Sequence, residues 1–331
     1  MPRSGLRTNP DGAPAASADH AAMPHAHISP PSPIIVGVER SERSRDALAL
    51  ARTLALAAGS RLILVTVYPL DGRSAVMPPG AHAATLADEA QATLEWAVRP
   101  LPGIRATLRP VPCISVTRGL QQVAEEEGAL AIVVGPSHRG TLGQVVPGSV
   151  GERLLHGAPC PVAVAPSGYR STAARGIRRI GLGFVATPEA DEALCAAVGI
   201  ALRTGAAIRA LSVVELPTGL SMGIGWDFAQ HEQLARDDLA QSLIRTLGDV
   251  TSPVDISGEV VDGYADDELA RLSEDVDLLV CGSRGRGPIG RVLLGSVSAG
   301  VLRKARCPVL VIPRGAPDGF ATLRAPVPDA A

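Results

Sequence analysis

Aromatic side chains are nearly missing from this 331-residue chain, at 2% of residues. That leaves little for stacking bases and argues against a platform for single-stranded nucleic acid. Basic excess is missing too: the formal net charge is −2, so no clustered basic face for a phosphate backbone is indicated. The five cysteines, Cys113, Cys160, Cys195, Cys281 and Cys307, form no C-x-x-C pair and are odd in number. A disulfide framework or zinc site is therefore not indicated, and a reduced, cytoplasmic setting fits better. Cys160, Cys281 and Cys307 sit in or beside apolar runs and read as small buried hydrophobes. No stretch is long and apolar enough to span a bilayer. Gly-Lys-Ser/Thr does not occur, so there is no Walker loop. No triad emerges either: His156 and His231 fall in expected helices and His82 near the start of one, none with an evident nucleophile beside it. These residues give no catalytic constellation.

What the chain does have is apolar content of 46%, enough for a sizeable core, and a length that suggests two domains. Residues 1–32 are rich in Ala, Pro, His and Ser without period. They lack the charged-then-apolar order of a signal peptide, and are expected to be a disordered tail in which His20, His25 and His27 are solvated. Residues 315–331 are expected to form a second tail.

Between them lies an internal repeat. Pro-Ile-Ile-Val-Gly-Val (33–38) matches Arg-Ile-Gly-Leu-Gly-Phe (179–184). Ala-Ile-Val-Val-Gly (131–135) matches Leu-Leu-Val-Cys-Gly (278–282), and Cys-Pro-Val-Ala-Val-Ala-Pro (160–166) matches Cys-Pro-Val-Leu-Val-Ile-Pro (307–313). The offset stays at 146 or 147 residues, as a duplication requires. The expected units are 33–167 and 177–314, joined by a polar linker over 168–176.

Each unit alternates strands and helices. In the second, Thr187 and Pro188 open a helix, with Leu194, Ala197, Val198, Ala201 and Leu202 on one apolar face and Gly205 ending it. In the first, Ser41, Leu48, Ala51, Ala55 and Gly59 do the same. Second strands are expected at 61–67 and 207–214, longer helices near 82–99 and 228–247, and weaker strands near 106–114 and 254–261. Apolar strands separated by helices give the expected fold class: α/β, two tandem doubly wound domains with parallel sheets covered on both faces. Ligands of such sheets bind at the carboxyl ends of the strands.

A glycine loop stands at that place in the second unit. Gly282 and Gly285 are three apart, and Gly295-Ser296 follows after nine intervening residues. Glycines let the backbone approach an anion, and successive N–H groups can converge on it. Gly295-Ser296 opens a helix whose N-terminal N–H groups favour phosphate. The hydroxyls of Ser296 and Ser298 can donate to it, and Arg284 and Arg286 add charge.

The G-x2-G-x9-G-[ST] pattern, with the following helix and Cys-Pro-Val-Leu-Val-Ile-Pro, resembles the ATP-binding class of the universal stress protein family. The resemblance covers both units. It implies an adenine-nucleotide alpha hydrolase-like fold and an ATP ligand, often with a divalent metal such as magnesium or manganese. It assigns Gly282, Gly285, Gly295 and Ser296 to the phosphates and Val213 to the wall of the base pocket; Ser283, Arg284, Val297 and Ser298 are the further expected cofactor-binding residues. It places an acidic residue after strand one against the adenosine. There the second unit has Val185 and the first has Glu39. The first unit's own loop departs from the pattern: His138 replaces a glycine, Pro136 and Pro147 remove two N–H donors, and Gly151 replaces the serine matching Ser298. The second unit is therefore the expected nucleotide site. His138 and Arg139 acting as side-chain donors to phosphate remain the alternative in the first. The resemblance also implies that Val162–Ala165 and Val309–Ile312 pair within the chain, which would cover two apolar edge strands. A homodimer is a further expectation.

Gly181 and Gly183 begin a G-x-G-x-x-A match to a dinucleotide fingerprint, but both fall inside an expected strand and not in the turn after it.

Overall fold

A computed structural model describes residues 32–69, 79–137, 142–185, 188–214, 228–247, 254–283, 295–313, 315, 319–320 and 323. The expected N-terminal tail lies outside them except for Ser32, as do Thr187, His138, Arg139, and residues 284–294 of the second glycine loop.

The first copy runs β1 (Ile34–Gly37), α1 (Glu42–Ala58), β2 (Leu62–Tyr68), α2 (Pro79–Val98), β3 (Ala106–Pro112), α3 (Val116–Glu127), β4 (Ala131–Val134), α4 (Ser149–Leu155) and β5 (Val162–Val164). The second runs β6 (Arg179–Phe184), α5 (Pro188–Thr204), β7 (Ala207–Val214), α6 (Phe228–Leu247), β8 (Ile256–Asp262), α7 (Ala265–Leu272), β9 (Leu278–Gly282), α8 (Ser296–Lys304) and β10 (Val309–Ile312). Local chemistry explains the ends of the first helix of each copy. The Ser41 hydroxyl caps α1 by accepting from the Ser44 N–H, and Gly59 and Gly205 end α1 and α5 at φ 66° and 70°. Gly181 and Gly183 lie within β6, which disposes of the dinucleotide turn. His156 is the residue after α4 and not within it.

The strands form one ten-stranded sheet in the order β3-β2-β1-β4-β5-β10-β9-β6-β7-β8. Within each copy every pairing is parallel. The copies meet at β5 and β10, as the edge-strand reasoning requires, and this junction is antiparallel: Val309 faces Val164, Leu310 faces Ala163 and Val311 faces Val162. One apolar layer packs α1, α2, α5 and α6 on one face of the sheet, and α3, α4, α7 and α8 close the other. In both copies strand order reverses beside the first strand. The carboxyl ends of β1 and β4, and of β6 and β9, therefore frame a crevice.

Tyr169 in the expected linker, and Phe320 and Leu323 among the described residues of the expected tail, are buried. The chain after β5 makes two short 3-10 turns, with Tyr169 buried. The nearly inaccessible carboxylate of Asp46 in α1 holds it, accepting the Gly168 N–H at 2.8 Å and the Arg170 N–H at 3.1 Å. The chain after β10 behaves similarly on α5. Phe320 and Leu323 are buried, and Arg203 donates through Nε to the Leu323 carbonyl at 3.1 Å. Asp46→Asn should lower stability by about 1.5 kcal/mol, because its amide NH2 would meet an N–H donor where the carboxylate oxygen accepted one. Urea denaturation measures this; an unchanged midpoint would show that Asp46 does not hold the linker.

Candidate functional site

In the second copy the ends of β6 and β9 and the start of α8 enclose a cavity of about 50 Å³ among the described residues. Five residues expected from the sequence meet there: Val185 after β6, Val213 late in β7, Gly282 ending β9, and Val297 and Ser298 in the first turn of α8. Val185 is exposed, and Val213 and Val297 are half-buried. Gly295 is the N-cap of α8, and Ser296, its first residue, is exposed. The first N–H bonded back within that helix start is that of Ala299, on the Gly295 carbonyl. The preceding turn is therefore the anion-favouring end of a nine-residue helix.

Two expected contacts are directed elsewhere. Ser298 is almost fully buried and donates its hydroxyl to the Gly282 carbonyl at 3.0 Å, tying strand end to helix. The Ser283 N–H donates to the Ile312 carbonyl at 2.8 Å, and the side chain is buried. Arg284, Gly285 and Arg286 lie outside the described residues. The remaining walls, Phe184, Leu211 and Leu269 among them, read in sequence as plain core. Only the repeat offset, which aligns them with first-copy positions, could have marked them.

Cys281 also lines this cavity, and burial pushes its thiol up to about 12, against which a Ser298 hydrogen bond acts weakly. It is a neutral thiol at physiological pH and not a nucleophile. Burial pushes Cys160 up to about 12 as well and raises Cys307. The reading of these three as buried hydrophobes agrees with their burial. Among the described residues no group of three or more His, Cys, Asp or Glu could hold a metal ion.

The corresponding place in the first copy is built differently. Its cavity, about 430 Å³, is framed by the ends of β1, β2 and β4 and the start of α3. The acid expected to face it, Glu39, is largely exposed; its Oε1 accepts from Arg43 at 2.9 Å and from the Ser41 hydroxyl at 3.0 Å. The glycine loop folds onto itself. Pro136 and Pro147 form an antiparallel bridge, and the Ser137 N–H donates to the Val146 carbonyl at 2.6 Å. Gly135 is needed for close packing: a Cβ there would lie 2.6 Å from the Arg43 carbonyl oxygen.

The model of the universal stress protein family matches residues 31–166 and again 176–313. A universal stress protein of Mycobacterium tuberculosis is 30% identical over 242 residues, covering 70% of this chain and 79% of the relative. One from Mycolicibacterium smegmatis is 28% identical over 293 residues, covering 84% and 96%. Among solved structures, a universal stress protein from Archaeoglobus fulgidus aligns with a TM-score of 0.67 at 20% identity, covering 86% of this chain and 98% of that one. A universal stress protein in complex with cAMP aligns with 41% of this chain and 96% of its own, at 23% identity and a TM-score of 0.32. The two family matches fall on the two halves of the ten-stranded sheet, and the chain belongs to the universal stress protein family as a tandem pair of its domains.

Proposed function

We propose that this is a nucleotide-binding stress or regulatory protein that holds ATP at its second domain, with the phosphates on the glycine loop and the start of α8. One observation carries the reading: the exposed N-terminus of α8 stands at the carboxyl edge of the sheet, beside a cavity walled by Val185, Val213 and Val297. The helix end supplies N–H groups and a favourable dipole for phosphate, and the aliphatic walls suit a flat base. Gly282, Gly285, Gly295 and Ser296 form the cradle, with Ser283, Arg284, Val297 and Ser298 around it. Among the described residues that line the cavity there is no carboxylate. A magnesium or manganese ion arriving with ATP would therefore be held by phosphate oxygens and water, as hard cations are beside polyphosphates. We propose at most slow hydrolysis at this site. The five cysteines form no disulfide, which suits the cytoplasmic location we propose, and among the described residues no helix is long and apolar enough to cross a membrane.

A second reading, a stress protein that acts by interaction without nucleotide, draws on two facts. The Ser283 N–H and the Ser298 hydroxyl are both taken up within the fold. Calorimetric titration with ATP, and chromatography of nucleotides released by denaturing the purified protein, separate the two. Binding of one ATP per chain is expected. No heat at millimolar ATP and no released nucleotide would favour the interaction protein.

A further inference from the structure

The ten-stranded sheet ends in two edges of opposite design. At β3 the Leu62 N–H donates to the Arg105 carbonyl and the Cys113 N–H to the Tyr68 carbonyl, so the odd-numbered residues bond to β2 and the even-numbered ones face outward. Two of those outward positions are Pro110 and Pro112, which have no N–H to offer a further strand. At β8 the Ile208 N–H donates to the Asp255 carbonyl and the Gly263 N–H to the Val214 carbonyl, so Ile256, Gly258, Val260 and Asp262 face outward. None of these is proline, and among the described residues β8 pairs with β7 alone. Ser257, Gly258 and Glu259 in the middle of the strand are all exposed. The flank of β8 is open as well. In the first copy Arg109 of β3 is tied to Glu126 and Glu127 at the end of α3. Glu259 takes that place in the second copy, where it pairs with Leu211 as Arg109 pairs with Val65, and α7 has eight residues against twelve in α3. A groove of about 440 Å³ lies beside β8, lined among others by Arg209, Ser257, Glu259, Arg271 and Asp275.

We propose that β8 is an interaction surface for a second copy of this chain, the two β8 strands pairing antiparallel about a twofold axis at Gly258 and joining two sheets into one. β5 and β10 are already paired within the chain, so this edge is distinct from the one by which the domains meet. A twofold contact must be complementary to itself, and β8 is so in this register. Ile256 of each copy faces Val260 of the other, an apolar pair on the side of the sheet that α6 covers. Ser257 of each copy faces Glu259 of the other. The outward residues over 256–260 exchange about six backbone hydrogen bonds. Arg209 lies beside Ser257 in the sheet. It therefore stands two strands from Glu259 of the other copy, roughly 10 Å between Cα atoms, a span that an arginine side chain crosses above a serine. Within the chain Arg209 is held loosely, 3.9 Å from Glu259 and 3.7 Å from Asp275, with its side chain 44% exposed. Symmetry makes two such ion pairs between the copies. Moving the axis by one residue, to Glu259, would set two carboxylates directly opposite each other, which is unfavourable.

Sedimentation equilibrium of the full chain should show a dimer that predominates at about 100 μM and dissociates on dilution. Gly258→Pro gives β8 the guard that β3 already has. It removes an outward N–H at an exposed position and leaves the bonds to β7 in place, so the protein should become monomeric with its melting temperature little changed. Arg209→Glu and Glu259→Arg should each weaken the dimer at least about tenfold, and the two together should restore it to within about threefold of wild type. Hydrogen exchange at the amides of Ile256, Gly258 and Val260 should slow as the protein concentration rises. A monomer at about 100 μM, or a dimer that survives Gly258→Pro, would overturn the proposal. So would a double exchange no tighter than either single one. Amides slowed equally at every concentration would overturn it too, since a segment of the same chain would then cover the edge.

Discussion

ATP affinity should fall at least about thirtyfold in Ser296→Glu and stay within about twofold of wild type in Ser149→Glu. The two serines are matched by the repeat, 147 residues apart, and each is the first residue of its helix. A carboxylate at the start of α8 stands where phosphate would approach. At about 5 Å and an effective dielectric of about 20, like charges repel by roughly 3 kcal/mol, more than a hundredfold if fully felt. Solvent exposure at Ser296 reduces that, hence the lower bound. Folding is not the confounder, because an acidic residue in the first helical turn is favourable by about 0.3–1 kcal/mol. In the first domain Pro136 and Pro147 offer no N–H and the Ser137 N–H is bonded to the Val146 carbonyl, so Ser149→Glu is expected to remove little that ATP uses. Calorimetry on both variants decides the matter. Equal losses would mean that the first domain holds the triphosphate.

The parts that could be read in the sequence are those set by nearby residues or by the repeat. Glycines at 59 and 205 stop their helices because a left-handed residue is needed a few positions after each apolar face ends. The meeting of β5 and β10 follows from two apolar edges needing cover. What escaped depends on distant partners. Asp46 is bonded to residues 122 and 124 positions away, so a polar stretch that looks like a loose linker becomes a fixed turn. Phe320 and Leu323 sit in a stretch without period, and only their docking on α5 orders them into the core. Ser298 matched a phosphate motif by type and spacing, but hydroxyl direction is a matter of rotamer and neighbour, and the Gly282 carbonyl accepts this one at 3.0 Å. The contrast in cavity size rests on Phe184 and Leu211, which as strand residues carry no local sign that they fill a ligand-sized space.

Leu310→Asp should destabilise the protein by at least about 4 kcal/mol and uncouple its halves, since β5 and β10 are the described strand pairing that joins them. Leu310 is fully buried opposite Ala163, on the sheet face covered by α1 and α5. A carboxylate there meets the aliphatic side chains of that layer. It must either stay ionised without a partner or take up a proton, and both cost free energy. Each half keeps its own parallel strands and helices on both faces, so loss of the junction leaves two partly independent bodies. Urea denaturation should then change from one transition into two. Leu310→Met is the control for packing: a volume-conserving exchange should cost less than about 1.5 kcal/mol and keep one transition. A Leu310→Asp protein within about 1 kcal/mol of wild type would show that the junction contributes little to the fold. The sign of the pH dependence gives a separate check. Burial raises the pKa of the introduced carboxyl above its unfolded value, so the deficit should shrink as the medium becomes more acidic, where the group is neutral in both states. A deficit that does not change with pH would mean that the side chain has escaped to water and the strands have parted.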